Sequence, residues 1–283
     1  MTTAQSMTHR LLPLALIALV AIGGWNSHCS RKLAQRNSPI LVLGLPRSGA
    51  KAIHDFFTCS QIRSSHYCCD GGESFPCSSM TCGSCLLENW QHDRPAFDGC
   101  GDVQVFAQFD VESQDPYQWF LPQHFALPLL HRDMPGAVWI LNRRANAEAW
   151  ATSVLHWYSV SNRILNSFGV PYHAKYPNGT LFTPSHEMTM TGLEKDLAQS
   201  IRRTQNTREH KRRLQALVLT YNRHLKKVRE AARAFGHHLI EVDVDEASAG
   251  SVLATAIPGL SSECWKFDAT TLDDDWKRFD FHL

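Results

Sequence analysis

Four short apolar runs set the rhythm of this chain: Ile40 to Gly44, Val103 to Gln108, Ala137 to Asn142 and Leu239 to Val244. Each is five or six residues long, and the first three carry no charge. Such runs read as strands covered on both faces, the arrangement of a parallel sheet. Helix-compatible stretches lie between them. Ala52 to Phe57 follows the first run, Phe125 to Leu130 follows the second, and Ala147 to Tyr158 follows the third. Thr207 to Phe235 reads as one long helix, because Leu214, Leu217, Tyr221, Leu225, Val228, Ala232 and Phe235 recur every three or four positions. Gly236 is placed to end it. Residues 60–100 and 171–188 lack periodicity and read as irregular. The alternation of strands and crossovers predicts an α/β fold: a mostly parallel central sheet covered by helices, in one domain over residues 38–283.

A different pattern precedes that domain. Leu11 to Trp25 is uncharged, follows Arg10, and is itself followed by Arg31, Lys32 and Arg36. A full membrane span needs about 20 residues and a signal-peptide core about 7–15. The preferred reading is an uncleaved signal anchor, with residues 1–37 forming a cytoplasmic tail, anchor and stem. A cleaved signal peptide, with Ala21-Ile22-Gly23 as a small-x-small site, and a buried helix are the alternatives. The first two put the domain in a secretory lumen, as a type II membrane protein facing the Golgi interior or as a secreted one. Asn178-Gly179-Thr180 is a glycosylation acceptor that agrees with this.

Cysteine usage strengthens the luminal reading. Seven of nine cysteines, from Cys59 to Cys100, fall within one short region. In an oxidising compartment that clustering reads as disulfides stapling a loop-rich insertion over residues 60–100. Cys82-x-x-Cys85 alternatively reads as a redox pair or half of a zinc site; no second CxxC accompanies it. The pairing itself is not deducible.

Charge is less informative in total than in place. The net formal charge is +1, but residues 201–230 hold ten of the 28 lysines and arginines. The bland reading is a solvated helix face. Attraction of a polyanionic substrate is the better functional one, and no nucleic-acid partner is expected.

The first strand leads into the most specific chemistry. ILVLGLPRSGAKAIHDFF orders an apolar strand, a cationic turn and a helix. Such a loop aims backbone N–H groups and a helix N-terminus at one point, which suits a phosphate. Gly44 and Gly49 have the separation of a Walker A loop. That loop continues with Lys and then Ser or Thr. Here Ala50, Lys51 and Ala52 follow, so the lysine is displaced by one place and no hydroxyl is available for Mg²⁺. A nucleotide or sugar kinase is therefore disfavoured. The third strand repeats the pattern, with Arg143-Arg144 directly after AVWILN and a helix beyond.

These two units resemble the PAPS-dependent sulfotransferases of the membrane-anchored Golgi and microbial types. Their 5′-phosphosulfate loop is written G-x-P-[RK]-[ST]-G-[TS]-[TS]-x-[LI]. Gly44, Pro46, Arg47, Ser48, Gly49 and Ile53 match; Ala50 and Lys51 depart from it. Their 3′-phosphate site is a strand ending in Arg with Ser about eight residues on, often after a Trp. Arg143-Arg144, Trp150, Thr152 and Ser153 correspond, with Arg144 and Ser153 as the expected pair. LIEVDV followed by Trp265 is similar to the family's late region. The resemblance implies a P-loop NTPase-like sulfotransferase fold and PAPS as co-substrate, with no metal. The donor would be held by Pro46, Arg47, Ser48, Gly49, Ala50, Lys51, Ala52, Arg144 and Ser153. The implied reaction moves a sulfuryl group to a hydroxyl or amine of a carbohydrate-like acceptor. Arg47 takes the family's cationic position against charge on the departing oxygen.

A base must accept the acceptor's proton. Candidates are His54, Asp110, Glu112 and His124. Asp110 and Glu112 share a side if the second strand continues through them, and they are preferred to either histidine. Ala50 favours the competing reading, a catalytically inactive relative that binds glycans or partners.

Overall fold

The computed structural model describes residues 38–69, 77, 80–112, 119–168 and 208–266, all but Ser38 within the unit Pro39–Leu283. The apolar segment at 11–25, the Asn178 acceptor, the irregular stretch 171–188, and Trp276 and Phe279 lie outside those residues. No helix among the described residues is long and apolar enough to cross a membrane.

The sequence runs become strands with small shifts at their ends. β1 is Ile40–Val42, β2 Ser64–Ser65, β3 Val105–Phe106, β6 Val138–Arg143 and β7 Leu239–Asp243. They form one parallel sheet in the order β2-β3-β1-β6-β7. A separate antiparallel ribbon pairs β4, Val111–Glu112, with β5, Trp119–Phe120. The helices among the described residues are α1 (Ala50–Cys59), α2 (Cys82–Gln91), α3 (Pro122–Phe125), α4 (Leu127–Asp133), α5 (Ala147–His156), α6 (Tyr158–Ser167), α7 (Arg208–Phe235) and α8 (Ala249–Ala256). The α/β expectation is thereby met.

Alternation along the strands explains why the central runs are apolar throughout. Leu41, Leu43, Trp139 and Leu141 face one core with Trp150 of α5 and Leu217, Tyr221 and Val228 of α7. Ile40, Val42, Val138 and Ile140 face the other, with Ile53, Phe56 and Phe57 of α1 and Leu253 of α8. A strand whose two faces are both covered has no position that favours a charge. α7 ends as its sequence predicts. Gly236 has φ 74°, and the His237 N–H bonds the Ala232 carbonyl at 2.9 Å, a Schellman closure.

Three details differ from the sequence reading. The insertion is not irregular throughout, because it contains α2, whose N-terminus is capped by Thr81 Oγ1 accepting from the Ser84 N–H at 3.0 Å. Its buried residues are Cys82, Gly83, Cys85, Leu86 and Asn89, so a single aliphatic side chain marks the buried face and no apolar stripe advertises it. The second apolar run forms a strand over only Val105–Phe106, and the helical reading of Phe125 to Leu130 resolves into α3 and α4 with a break at Ala126. The disulfides are Cys59–Cys264, Cys68–Cys77, Cys69–Cys82 and Cys85–Cys100. Cys82 and Cys85 thus have separate partners, and their spacing marks neither a redox pair nor half a zinc site. Cys59 leaves the insertion altogether and ties the end of α1 to the segment after α8, where Trp265 also packs edge-on against Phe56 at 5.5 Å.

The Cys59–Cys264 bridge spans 205 residues, so it removes much freedom from the unfolded chain. Cys59→Ser is expected to lower unfolding stability by roughly 3–5 kcal/mol. The Cys59→Ser/Cys264→Ser double variant should match the single one, by calorimetry. A clearly additive double variant would show that each thiol acts separately.

Candidate functional site

β1 and β6 are parallel neighbours, with Ile40 beside Val138 and Val42 beside Ile140. The chain leaves β1 towards β2 and β3 on one side, and leaves β6 towards β7 on the other. Their carboxyl ends therefore flank the point where strand order reverses, the usual crevice for ligands in an open α/β sheet. The two cationic loops read from the sequence, Gly44 to Gly49 and Arg143 to Asn146, meet there.

Cross-links from the second unit hold the first loop. Asn142, fully buried at the end of β6, accepts from the Gly44 N–H through Oδ1 at 2.8 Å. Its Nδ2 donates to the Ser48 carbonyl at 2.7 Å. Trp150 Nε1 donates to the Pro46 carbonyl at 2.9 Å. Tyr221 stacks on Trp150 with ring centroids 4.6 Å apart, and its hydroxyl accepts from the Arg144 N–H at 2.8 Å while facing Ser48. Burial raises the Tyr221 phenol above its ordinary value, so it stays protonated. His224 Nε2 donates to the Leu43 carbonyl at 2.7 Å, and its Nδ1 meets His124 Nδ1 at 3.1 Å.

Within that clamp the loop takes an unusual shape. Arg47 has φ 70° and Gly49 φ 82°, both left-handed. Glycine adopts this freely, whereas arginine does so at a cost that the surroundings must offset. A side chain at Gly49 would also meet Val244 Cγ2 at 2.7 Å. Gly49 is the N-cap of α1, and no side chain caps that helix, in contrast to Asn146 Oδ1, which accepts from the Ala149 N–H at the start of α5. The first N–H groups of α1, at Ala50, Lys51 and Ala52, belong to the anion-favouring end of the helix. Arg47 lies with its guanidinium 4.8 Å from the Trp157 ring centroid, so the cation is held beside the loop.

The other sequence candidates are distributed less uniformly. Lys51 is exposed and pairs with Asp55 at 2.8 Å, one turn along α1. His54 is buried and bonds Ser64 Oγ at 3.0 Å, so it faces β2. Asp110 is buried beyond the end of β3 and accepts from Gln108 at 3.0 Å and from Gln123. Glu112 belongs to the β4–β5 ribbon. The premise that one strand runs through Asp110 and Glu112 fails, because the chain leaves the sheet after Phe106 and buries Phe109 in the core on the way to β4. His124 supports His224. Arg144 pairs with Asp245 at 2.8 Å and Arg143 with Asp243 at 2.9 Å. Ser153 is half-buried on α5.

Sequence reasoning missed Asn142, Trp157, Tyr221, His224 and Asp245. Asn142 carried a signal: it is the one amide in a run where every other residue is apolar. Comparison with protein-family models, characterised proteins and solved structures finds no match for this chain.

Burial holds His224 down to about 4, while burial and then the facing His224 hold His124 down to about 3, from an ordinary 6.5. The unfolded chain therefore takes up these protons before the folded one does. The pair's stabilising contribution is complete above pH 6.5 and is lost as pH falls from there towards 4. His224→Gln keeps an N–H for the Leu43 carbonyl and removes one titration. It should flatten the fall in unfolding free energy over this range by about one proton, measured by urea unfolding at several pH values. An unchanged slope would remove His224 from the account. Asn142→Ala leaves the Gly44 N–H and the Ser48 carbonyl without partners. A loss of about 2–4 kcal/mol is expected, with faster amide exchange confined first to residues 44–49.

Proposed function

We propose that the chain is a PAPS-dependent sulfotransferase of the secretory lumen, acting on a hydroxyl or amine of a carbohydrate-like acceptor. The observation that carries this reading is Arg47. It stands in left-handed backbone at the head of an uncapped helix, in a loop fixed by Asn142 and Trp150. Strain retained at a well-buttressed loop is characteristic of a binding or reacting position. The N–H groups of Ala50, Lys51 and Ala52 and the Arg47 guanidinium supply a dense set of donors for the 5′-phosphosulfate, and Gly49 lets the backbone approach it. Four disulfides support an oxidising compartment. An N-terminal membrane anchor and a Golgi location complete the proposal.

In this reaction an acceptor oxygen or nitrogen attacks sulfur and forms a new bond to it. The bond from sulfur to the bridging phosphate oxygen breaks, and that oxygen leaves with the electron pair as adenosine 3′,5′-bisphosphate. Arg47 is the charge stabiliser at that oxygen and stays protonated throughout. The acceptor's proton goes to Asp110, whose neighbours Gln108 and Gln123 orient its carboxylate. His54, turned to β2, takes no part, and Lys51 contributes through its backbone N–H.

A non-catalytic relative that binds glycans or partners is the second reading. It is favoured by Ala50, which supplies no hydroxyl to the phosphate, and by the carboxylate partners already held by Arg143 and Arg144. Titration calorimetry with adenosine 3′,5′-bisphosphate separates the possibilities. Arg47→Ala should weaken binding by at least about tenfold. Transfer of radiolabelled sulfate from PAPS to a glycan panel should then be seen with wild type and fall by on the order of 100-fold or more in Asp110→Asn. Binding without transfer removes the catalytic claim, and absence of nucleotide binding removes the first reading and leaves the second.

A further inference from the structure

The two cationic loops look alike in sequence, and the second is already filled by acid. Asp245 Oδ2 accepts from the Ala145 N–H at 2.8 Å and from Arg144 Nε at 2.9 Å. The two side chains are 14% and 11% exposed. A backbone N–H and a guanidinium converging on one oxygen is the way a loop of this type grips a phosphate. The Arg144 N–H is itself taken by Tyr221, so this donor set is directed at Asp245.

The neighbouring pair has a different character. Arg143 and Asp243 stand opposite each other in the β6–β7 register, and their bond follows from strand pairing. Asp245 lies beyond the end of β7, on the turn leading to α8, and is tied back by its own N–H to Asp243 Oδ1 at 3.1 Å. A side chain on a turn can withdraw without breaking the sheet; one in register cannot. The four charges of Arg143, Arg144, Asp243 and Asp245 cancel, so the crevice offers a second anion little net attraction while Asp245 is in place.

We infer that Asp245 is a built-in competitor for the ligand's second phosphate, and so a determinant of donor selectivity. A nucleotide phosphorylated at both the 5′ and 3′ positions must exchange its 3′-phosphate for the Asp245 carboxylate on Arg144. A 5′-monophosphate binds without that exchange. This inference rests on the nucleotide reading above and concerns only its second anion site.

The test compares adenosine 3′,5′-bisphosphate with adenosine 5′-monophosphate by titration calorimetry. Wild type should show only a small preference for the bisphosphate. Asp245→Asn keeps an acceptor for the Ala145 N–H and removes the charge. It should raise that preference by about tenfold or more, leaving monophosphate affinity within about twofold. Adding Arg144→Ala should abolish the gain. Asp245→Ser serves the same comparison should the Asn variant fold poorly, with folding checked by circular dichroism. Binding of both nucleotides with an unchanged ratio overturns the inference and leaves the nucleotide reading standing. Binding of neither to wild type or variant overturns both.

Discussion

The site depends on one buried amide. Asn142 receives the Gly44 N–H and donates to the Ser48 carbonyl, and so spans the whole loop that leaves β1. Only an uncharged side chain with both a donor and an acceptor can do this at full burial. Aspartate would lack the donor, and leucine would strand two backbone groups. Because β6 is the parallel neighbour of β1, the same residue registers the two cationic loops against each other. The sheet supplies the platform, and Asn142 makes the loop geometry a consequence of strand pairing.

Over-determination is what lets Arg47 remain left-handed. Its flanking carbonyls are gripped by Trp150 and Asn142, and the preceding Leu43 carbonyl is held by His224. These anchors come from β6, α5 and α7, at sequence separations of 94, 104 and 181 residues from the groups they hold. Strain at Arg47 is therefore spread over a large buried assembly rather than relieved locally. The His124–His224 pair belongs to this assembly. Burial disfavours charging either imidazole, so this support weakens as pH falls.

The fold was legible where burial was uniform and the period clear. β1, β6, β7 and α7 follow directly from apolar runs or a three-to-four spacing. α2 was hidden because cysteine, glycine and serine occupy much of it, and disulfides rather than an aliphatic stripe anchor it. The break between Phe106 and Val111 was hidden because alternating apolar residues continue through a segment that has left the sheet. At the candidate site, the strand–loop–helix signal pointed to the crevice between β1 and β6, but residue types alone did not reveal orientation. Lys51 and His54 are adjacent to the loop in sequence, yet helix geometry turns one to solvent and the other to β2.

The least legible property is the electrostatic balance. Arginines in the sequence look like phosphate ligands, but their effect depends on carboxylates that lie about a hundred residues away and arrive only through β7. At the first loop Arg47 lies against an aromatic ring, Trp157. At the second the cations rest on Asp243 and Asp245, which cancel their charge. The two loops therefore differ in the partners of their cations despite similar local sequence. That difference originates in the strand and turn that follow α7, a part of the chain that carries no phosphate-binding signature of its own.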